Sequence, residues 1–498
     1  MKRIILASMF FVALLSIGSV LFGHSKKNFL MPRAVGVNAV MEHVTWQSQI
    51  YVPNYKHKIN SYIHVTPFYQ TSDNKHVIGG YFGLNGVNGS NVITFGNTAK
   101  YDEHSADLDG AYFIHNNDLY DESPINGTMF TLNPEQEVWG ARLDFFQTIN
   151  IPIKDLFFRI SMPVVHIENN VKMGVTFPVY NPTGVVSYAG TNVAYNIIDF
   201  FAGRVTVDQA TSGANMQLSL TKAKVDGRQS KNGVADIDLS LGYKLLFKKT
   251  KYAFFDIGIT IPTGNTPRGD YLFESVCGNG GHVGLGTSLN VGLELWKCEK
   301  YWIRVDSAVK YKYLFESTEK RTLGIKDMSG KSLPYGQYYL GGVINQPANT
   351  AYFPLANEVT RDVNIKPGSQ IDSLINFSFN TKHFVIDFGC NMYWKDDESL
   401  SVKNWKDGVY AIATTNDLTD ADFVNVPGGE SYIEFTLDPA TAKTPTQLTH
   451  KIFAGFAYKT DISKCYPTFV GFGGSYEFVS KNSALEQYAL WVKAGLSF

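Results

Sequence analysis

Hydrophobic and polar positions alternate with a period of two through much of this chain. Over residues 488–498, Tyr488, Leu490, Val492, Ala494, Leu496 and Phe498 fall on one face of an extended strand. Ala489, Trp491, Lys493, Gly495 and Ser497 fall on the other. One apolar face at period two predicts a strand exposed to different media on its two sides. Its length matches the about 9–11 tilted residues that cross a bilayer. The pattern recurs in 234–247, where Ala235, Ile237, Leu239, Leu241, Tyr243, Leu245 and Phe247 oppose Asp236, Asp238, Ser240, Gly242 and Lys244. After the turn Lys248-Lys249-Thr250, Phe255, Ile257, Ile259 and Ile261 oppose Asp256, Gly258 and Thr260. Further pairs are predicted near 283–295 with 301–313 and near 369–380 with 383–394. Strands near 57–71, 138–149, 155–166, 448–459, 467–480 and 486–498 bring the total to about twelve, and a hairpin in 76–97 would make about fourteen.

The connections alternate too. Those near 150–154, 248–250, 297–300 and 380–382 are short, whereas 167–232, 263–281, 317–367 and 397–446 are long. A soluble sandwich has no reason to gather its long loops at one end. An outer-membrane barrel does, with short periplasmic turns and long extracellular loops. The pattern predicts an all-β fold: a transmembrane antiparallel up-and-down β-barrel of about twelve to fourteen strands. Closure follows from the solvent, because a sheet edge in lipid strands backbone polar groups at several kcal/mol each. The faces opposite the lipid then supply candidate pore-lining residues: Arg142, Asp144, Arg159, Asp236, Asp238, Asp256, Arg304, Asp306, Lys310 and Asp387. Acids and bases are mixed, so the lumen is expected to hold interstrand ion pairs, with no strong ionic selectivity.

The ends sharpen the picture. Lys2 and Arg3 precede an apolar run from Ile4 to Leu21, with Gly23 before a polar stretch, which predicts a signal peptide over 1–23. Residues 24–56 are then either a periplasmic segment or a lumen plug, and 57–498 the barrel. The terminal Phe498 resembles the C-terminal signal of bacterial outer-membrane barrels, which implies recognition by a barrel-assembly machinery. Aromatic residues make up 14% of the chain and net charge is −1. Many Tyr, Phe and Gly suit strands facing lipid on one side and water on the other, and near-neutrality suggests no nucleic-acid partner. Cys277, Cys298, Cys390 and Cys465 are scattered with no metal-ligand spacing, so no metal or other cofactor is expected. Within Asn192–Val205 the alternation breaks, and Ile197, Ile198, Phe200 and Phe201 predict a short helix anchoring a long loop.

No GxSxG, HExxH or Walker-type loop is present, and Gly278–His282 reads as a turn into the next strand, so no enzyme is expected. The unit 233–247, a tight turn, then 254–265 ending in Pro262-Thr263-Gly264 resembles two families. These are the outer-membrane barrels that take up fatty acids and aromatic hydrocarbons, and those associated with phenol meta-cleavage. The resemblance implies an outer-membrane channel or passive transporter for a small solute, hydrophobic or aromatic. It would work among outer-membrane lipid. The alternative is a structural or adhesive barrel whose long loops bind surface partners.

Overall fold

Every long strand pairs antiparallel with the one before it and the one after it. The computed structural model describes residues 27–44, 61–73, 75–82, 92–96, 108–109, 129–149, 153–176, 197–204, 218–248, 250–333, 335–344, 353–413, 432–461, 467–479 and 484–498. The signal-peptide expectation for 1–23, all of 45–60 and Cys465 lie outside these residues. Among the described residues, twelve strands form a ring. They are β1 (Ser61–Ser72), β2 (Glu135–Ile149), β3 (Leu156–Asn170), β4 (Ile237–Lys248), β5 (Lys251–Ile261) and β6 (Gly284–Lys297). β7 (Tyr301–Leu314), β8 (Gly368–Thr381), β9 (Phe384–Lys395), β10 (Gln447–Asp461), β11 (Pro467–Val479) and β12 (Gln487–Ser497) complete it. The β12–β1 seam runs from Tyr62 opposite Ser497 to Ser72 opposite Gln487. At its foot, Ser61 and Phe498 exchange both backbone hydrogen bonds at 2.9 Å.

Two irregularities correct the simple alternation. Leu245 bulges out of register in β4, because Phe254 pairs with Lys244 while Ala253 pairs with Leu246. One extra residue in a strand reverses the facing beyond it. Phe247, expected on the outer face with Leu245, therefore packs inside. A second break separates β4 from Arg228–Val234, a segment that continues its line along β3. Asp236 sits in that break with a left-handed φ of 36°. It was expected on the lumen face of a continuous strand. Its carboxylate instead accepts from the backbone and side-chain N–H of Asn279, at 2.7 and 2.6 Å, tying the Gly278–His282 loop to the wall.

The long connections fold over one end. Among the described residues, 76–97 add no strand to the ring. Lys75–Tyr81 is a short helix, and Val92–Gly96 joins a small sheet with Met129–Leu132. The helix expected in 192–205 is Ile197–Ala202, with Phe200 and Phe201 buried. Ile78, Tyr81, Phe82, Phe130, Phe201, Leu272, Phe273 and Tyr338 share one apolar core across this mouth. Phe201 meets Tyr338 edge-on at 4.9 Å. Beside it, Glu398 ties Arg321, Lys395 (3.0 Å) and the Thr444 backbone N–H (3.0 Å) together. Burial pushes its carboxyl up, but Arg321 and Lys395 outweigh this and hold it far below the usual carboxylate range.

Candidate functional site

Residues 27–44 run inside the ring, and the inward side chains grip them. Asn38 caps helix α1 (Ala39–His43), accepting from the Met41 N–H at 3.3 Å. Near the mouth, the Met31 N–H donates to Thr444 Oγ1 at 3.2 Å and Phe29 lies 3.7 Å from the Arg321 guanidinium. Arg33 pairs with Asp372 at 3.0 Å and Glu477 at 2.9 Å, with its guanidinium 4.4 Å above the Tyr393 ring. Below it, Asp372 also accepts from the Ala39 N–H at 3.0 Å. Lys493 donates to the carbonyls of Glu42 (3.1 Å) and Val44 (2.7 Å). Val40, Met41 and Val44 pack against Phe68, Phe453 and Trp491 from the wall.

Glu42 is the hub. Its carboxylate binds Arg142 at 2.9 Å, Arg159 at 2.7 Å and Lys310. Arg142 also grips Asp144 at 2.9 Å, and Arg159 also pairs with Asp256. Three of the sequence-identified lumen residues, Arg142, Arg159 and Lys310, thus converge on one glutamate from another part of the chain, and two more, Asp144 and Asp256, hold the arginines. Asp238 stands beside them, pairing with Lys312 at 2.8 Å. Arg304, Asp306 and Asp387 form a separate set nearer the short turns. Arg304 faces Asp306 at 3.6 Å, Tyr252 donates to Asp306 at 2.8 Å, and Asn376 donates to Asp387 at 3.1 Å. Sequence reading missed Glu42 and Arg33, since the stretch around them has no period.

A cavity of about 80 Å³ lies between Gly36–Asn38 and Glu42 and the wall formed by β2 to β8. At roughly 10–15 Å³ per water centre it has room for several waters. The inward positions there are small: Ser161, Ser240, Gly258, Gly286 and Ser288. The glycines are required, because a Cβ at Gly258 would lie 2.8 Å from the Leu239 carbonyl oxygen, and at Gly286 2.7 Å from that of Tyr311. Charged residues also line it, with Arg159 paired to Asp256 and Lys312 to Asp238, and Lys310 and Asp372 beside them. Among the described residues, no group of three or more His, Cys, Asp or Glu is placed to hold a metal ion.

Toward the short turns the inner face changes character. Tyr62, Phe146, Phe157, Tyr252, Phe254, Val385, Ala457 and Phe469 form one buried cluster, with Phe247 against it. The rings follow one another: Tyr62 on Phe146 at 5.0 Å, Phe146 on Phe157 at 5.1 Å, Phe157 by Phe254 at 5.6 Å. The signal for this layer was present as doubled aromatics, Phe145-Phe146, Phe157-Phe158 and Phe254-Phe255, where period two is lost because both faces are apolar.

The outer face is apolar all the way round. Leu241, Ile257, Leu289, Phe388, Ile452, Phe472 and Leu490 are exposed, Leu490 by 65%. Aromatic residues gather at the two rims. Trp296, Tyr301, Phe384 and Tyr458 stand near the short turns, and Tyr69, Trp139 and Tyr488 near the long loops. A closed wall with an apolar band between aromatic girdles is stable only in lipid. The protein is an outer-membrane β-barrel. His166, stacked on Trp139 at 4.8 Å, belongs to the girdle at the barrel's loop end.

No protein-family model and no curated protein matches the barrel's sequence. Solved structures do resemble it. An outer-membrane channel from Pseudomonas putida F1 matches at 9% identity, covering 88% of this chain and 96% of that one, with a TM-score of 0.36. The Pseudomonas putida toluene transporter TodX matches at 9% identity over 96% and 99% of the two chains, with a TM-score of 0.32. The Escherichia coli outer-membrane protease OmpT matches at 8% identity over 88% and 96%, with a TM-score of 0.22. Scores this low transfer neither activity nor substrate, and the membrane assignment stands on the barrel's own surface.

Proposed function

We propose that the barrel is a passive channel of the outer membrane for a small polar solute, with residues 27–44 as its plug. The observation that carries this reading is the cavity, with charged residues in its lining, between that segment and the wall. Arg33 and Glu42 hold the plug largely through ion pairs, whose charges rehydrate when they separate, so its release costs less than the contact distances suggest. The lining mixes acids with bases, which supports a polar permeant over the hydrophobic or aromatic solute that the family resemblance implies. Arg142, Arg159, Asp256 and Lys310 would line the opened path.

Solute flux into liposomes and current across planar bilayers test this. The double variant Arg33→Gln/Glu42→Gln is expected to pass a zwitterionic amino acid faster than the wild type and to raise its small conductance. The apolar core of the mouth favours a second reading, a sealed barrel whose loops bind a surface partner. No flux and no current from either folded protein would establish that reading instead. Phe498 completes the seam by its backbone while its side chain stays exposed, which supports its role as an insertion signal for the assembly machinery. Its deletion is expected to refold in detergent but accumulate poorly in the outer membrane, read by fractionation.

A further inference from the structure

The wall is notched at its loop end. β5 stops at Ile261 and β6 starts at Gly284, while strand structure continues on either side of them. Arg228–Val234 extends the line of β4, and Ser317–Thr322 follows β7 and pairs with Thr360–Lys366. The connection 262–283 is pinned to both edges. Ser275 donates to the Gln229 carbonyl at 2.6 Å, and the Lys320 N–H donates to the Pro267 carbonyl at 3.2 Å. Within the connection, Asn265 donates to the Ser275 carbonyl at 3.1 Å, and Glu274 accepts from the Arg268 and Gly269 N–H groups at 2.9 and 3.0 Å. The space that remains is an open groove of about 550 Å³, the size of a small-molecule site. Lys231, Arg268 and Lys320 line it, and among the described residues no acid forms an ion pair with any of them.

The groove leads inward. Glu319 lines it, and His282, whose Nε2 lies 2.8 Å from Glu319 Oε1, lines a second cavity of about 10 Å³, space for about one water. Gln370 lines that second cavity and also the cavity of about 80 Å³ beside the plug. Its Oε1 is buried without a hydrogen-bond partner. The apolar core across the mouth is a barrier to a polar solute, whereas this line of cavities carries polar groups throughout. We infer that the groove is the channel's entrance and captures a zwitterion of amino-acid size, with the Glu319–His282 pair as the gate to the lumen. The inference rests on the channel reading. Lys231, Arg268 and Lys320 take the solute's carboxylate at the rim. Its ammonium meets Glu274 and then Glu319, whose Oε1 passes from His282 to the incoming cation while Arg321 keeps Oε2 at 2.8 Å. The imidazole, then held only by the Phe315 carbonyl, turns aside, and Gln370 Oε1 is the next acceptor inward.

Glycine flux into liposomes, carried by the full chain in the plug-loosened Arg33→Gln/Glu42→Gln background, tests this. Thr266→Trp fills the groove from an exposed position and should remove most of the flux. Ser401→Trp, exposed on the neighbouring sheet, should leave it unchanged. Lys231→Gln/Lys320→Gln should raise the half-saturating glycine concentration roughly tenfold, the factor for one charged hydrogen bond lost. Glycinamide, which lacks the carboxylate, should be affected far less. His282→Ala unlatches the gate and should raise flux; should it fail to fold, His282→Asn, too short to reach Glu319, takes its place. Undiminished flux through Thr266→Trp, or an equal loss from Ser401→Trp, overturns the entrance while leaving the channel intact. An unchanged half-saturation, or an equal change for glycinamide, overturns the zwitterion assignment, and no rise from the His282 variants overturns the gate. A plug-loosened form that passes no glycine overturns the channel reading, and the entrance with it.

Discussion

The middle of the lumen and its turn end are lined by the same strands, on the same inward face, with opposite chemistry. β2 carries Asp144 in the middle and Phe146 at the end; β3 carries Arg159 and then Phe157; β5 carries Asp256 and then Phe254. Each change takes two residues, about 7 Å along a strand. The middle layer is completed by a segment from elsewhere in the chain, Glu42 and Arg33 answering the wall's charges. The end layer carries aromatic and aliphatic side chains of the wall instead, Tyr62, Phe146, Phe157, Tyr252, Phe254 and Phe469 among them. The contrast teaches that period two decides which side of a barrel wall a residue faces, but not what fills the inside.

The largest expected effect falls on the aromatic layer. Phe157→Ala removes a fully enclosed ring and should cost about 3–5 kcal/mol in a denaturant titration into detergent or lipid. A loss below about 1 kcal/mol, the scale of a single methylene, would mean the layer is loosely packed and the contrast is false. Outside the wall, Ile257→Arg puts a charge at mid-bilayer and should cost about 2–4 kcal/mol, so equal tolerance there would reject the face assignment itself.

Glu42→Gln should act differently from either. Losing a charged partner costs about 1.5–3 kcal/mol, but from the plug's attachment, not the ring. Residues 27–44 should become protease-sensitive while the unfolding midpoint hardly moves. A midpoint shift as large as that of Phe157→Ala would show the plug to be part of the barrel's core.

The smallest effect is expected at the mouth. Glu398 has a depressed folded-state pKa, so the unfolded chain binds the proton more readily. Its contribution is complete above the unfolded value of about 4.3 and declines as pH falls below it. At pH 4 the loss should be only about 0.6 kcal/mol, growing with further acid. Glu398→Gln should flatten the acid limb of the stability profile, and an unchanged limb would discard the assignment.

Much of the ring was legible in the sequence. The alternations around Ile257, Leu289 and Leu490 mark strands because each half-lipid strand satisfies its period independently of its neighbours. Phe247 was misplaced because a bulge depends on pairing, which one strand does not encode. The stretch 76–97 looked like a hairpin because apolar positions in a packed loop domain also cluster, and there the mouth core, not lipid, is the solvent. Of the candidate site, the wall's charges were legible and their partners were not. Glu42 answers Arg142 and Lys310 only after the chain has passed through the ring.

The seam between Ser61 and Phe498 carries a consequence for biogenesis. Once β12 zips onto β1, an unbroken hydrogen-bonded wall surrounds residues 27–44. A tether as bulky as residues 27–44 has no path in through that wall afterwards. The order of events is therefore constrained: the tether must already lie across the unfinished sheet when the two edges meet. The final hydrogen bonds of the seam then act as a latch on cargo loaded beforehand, and a variant whose tether arrives late should trap an empty, leaky vessel.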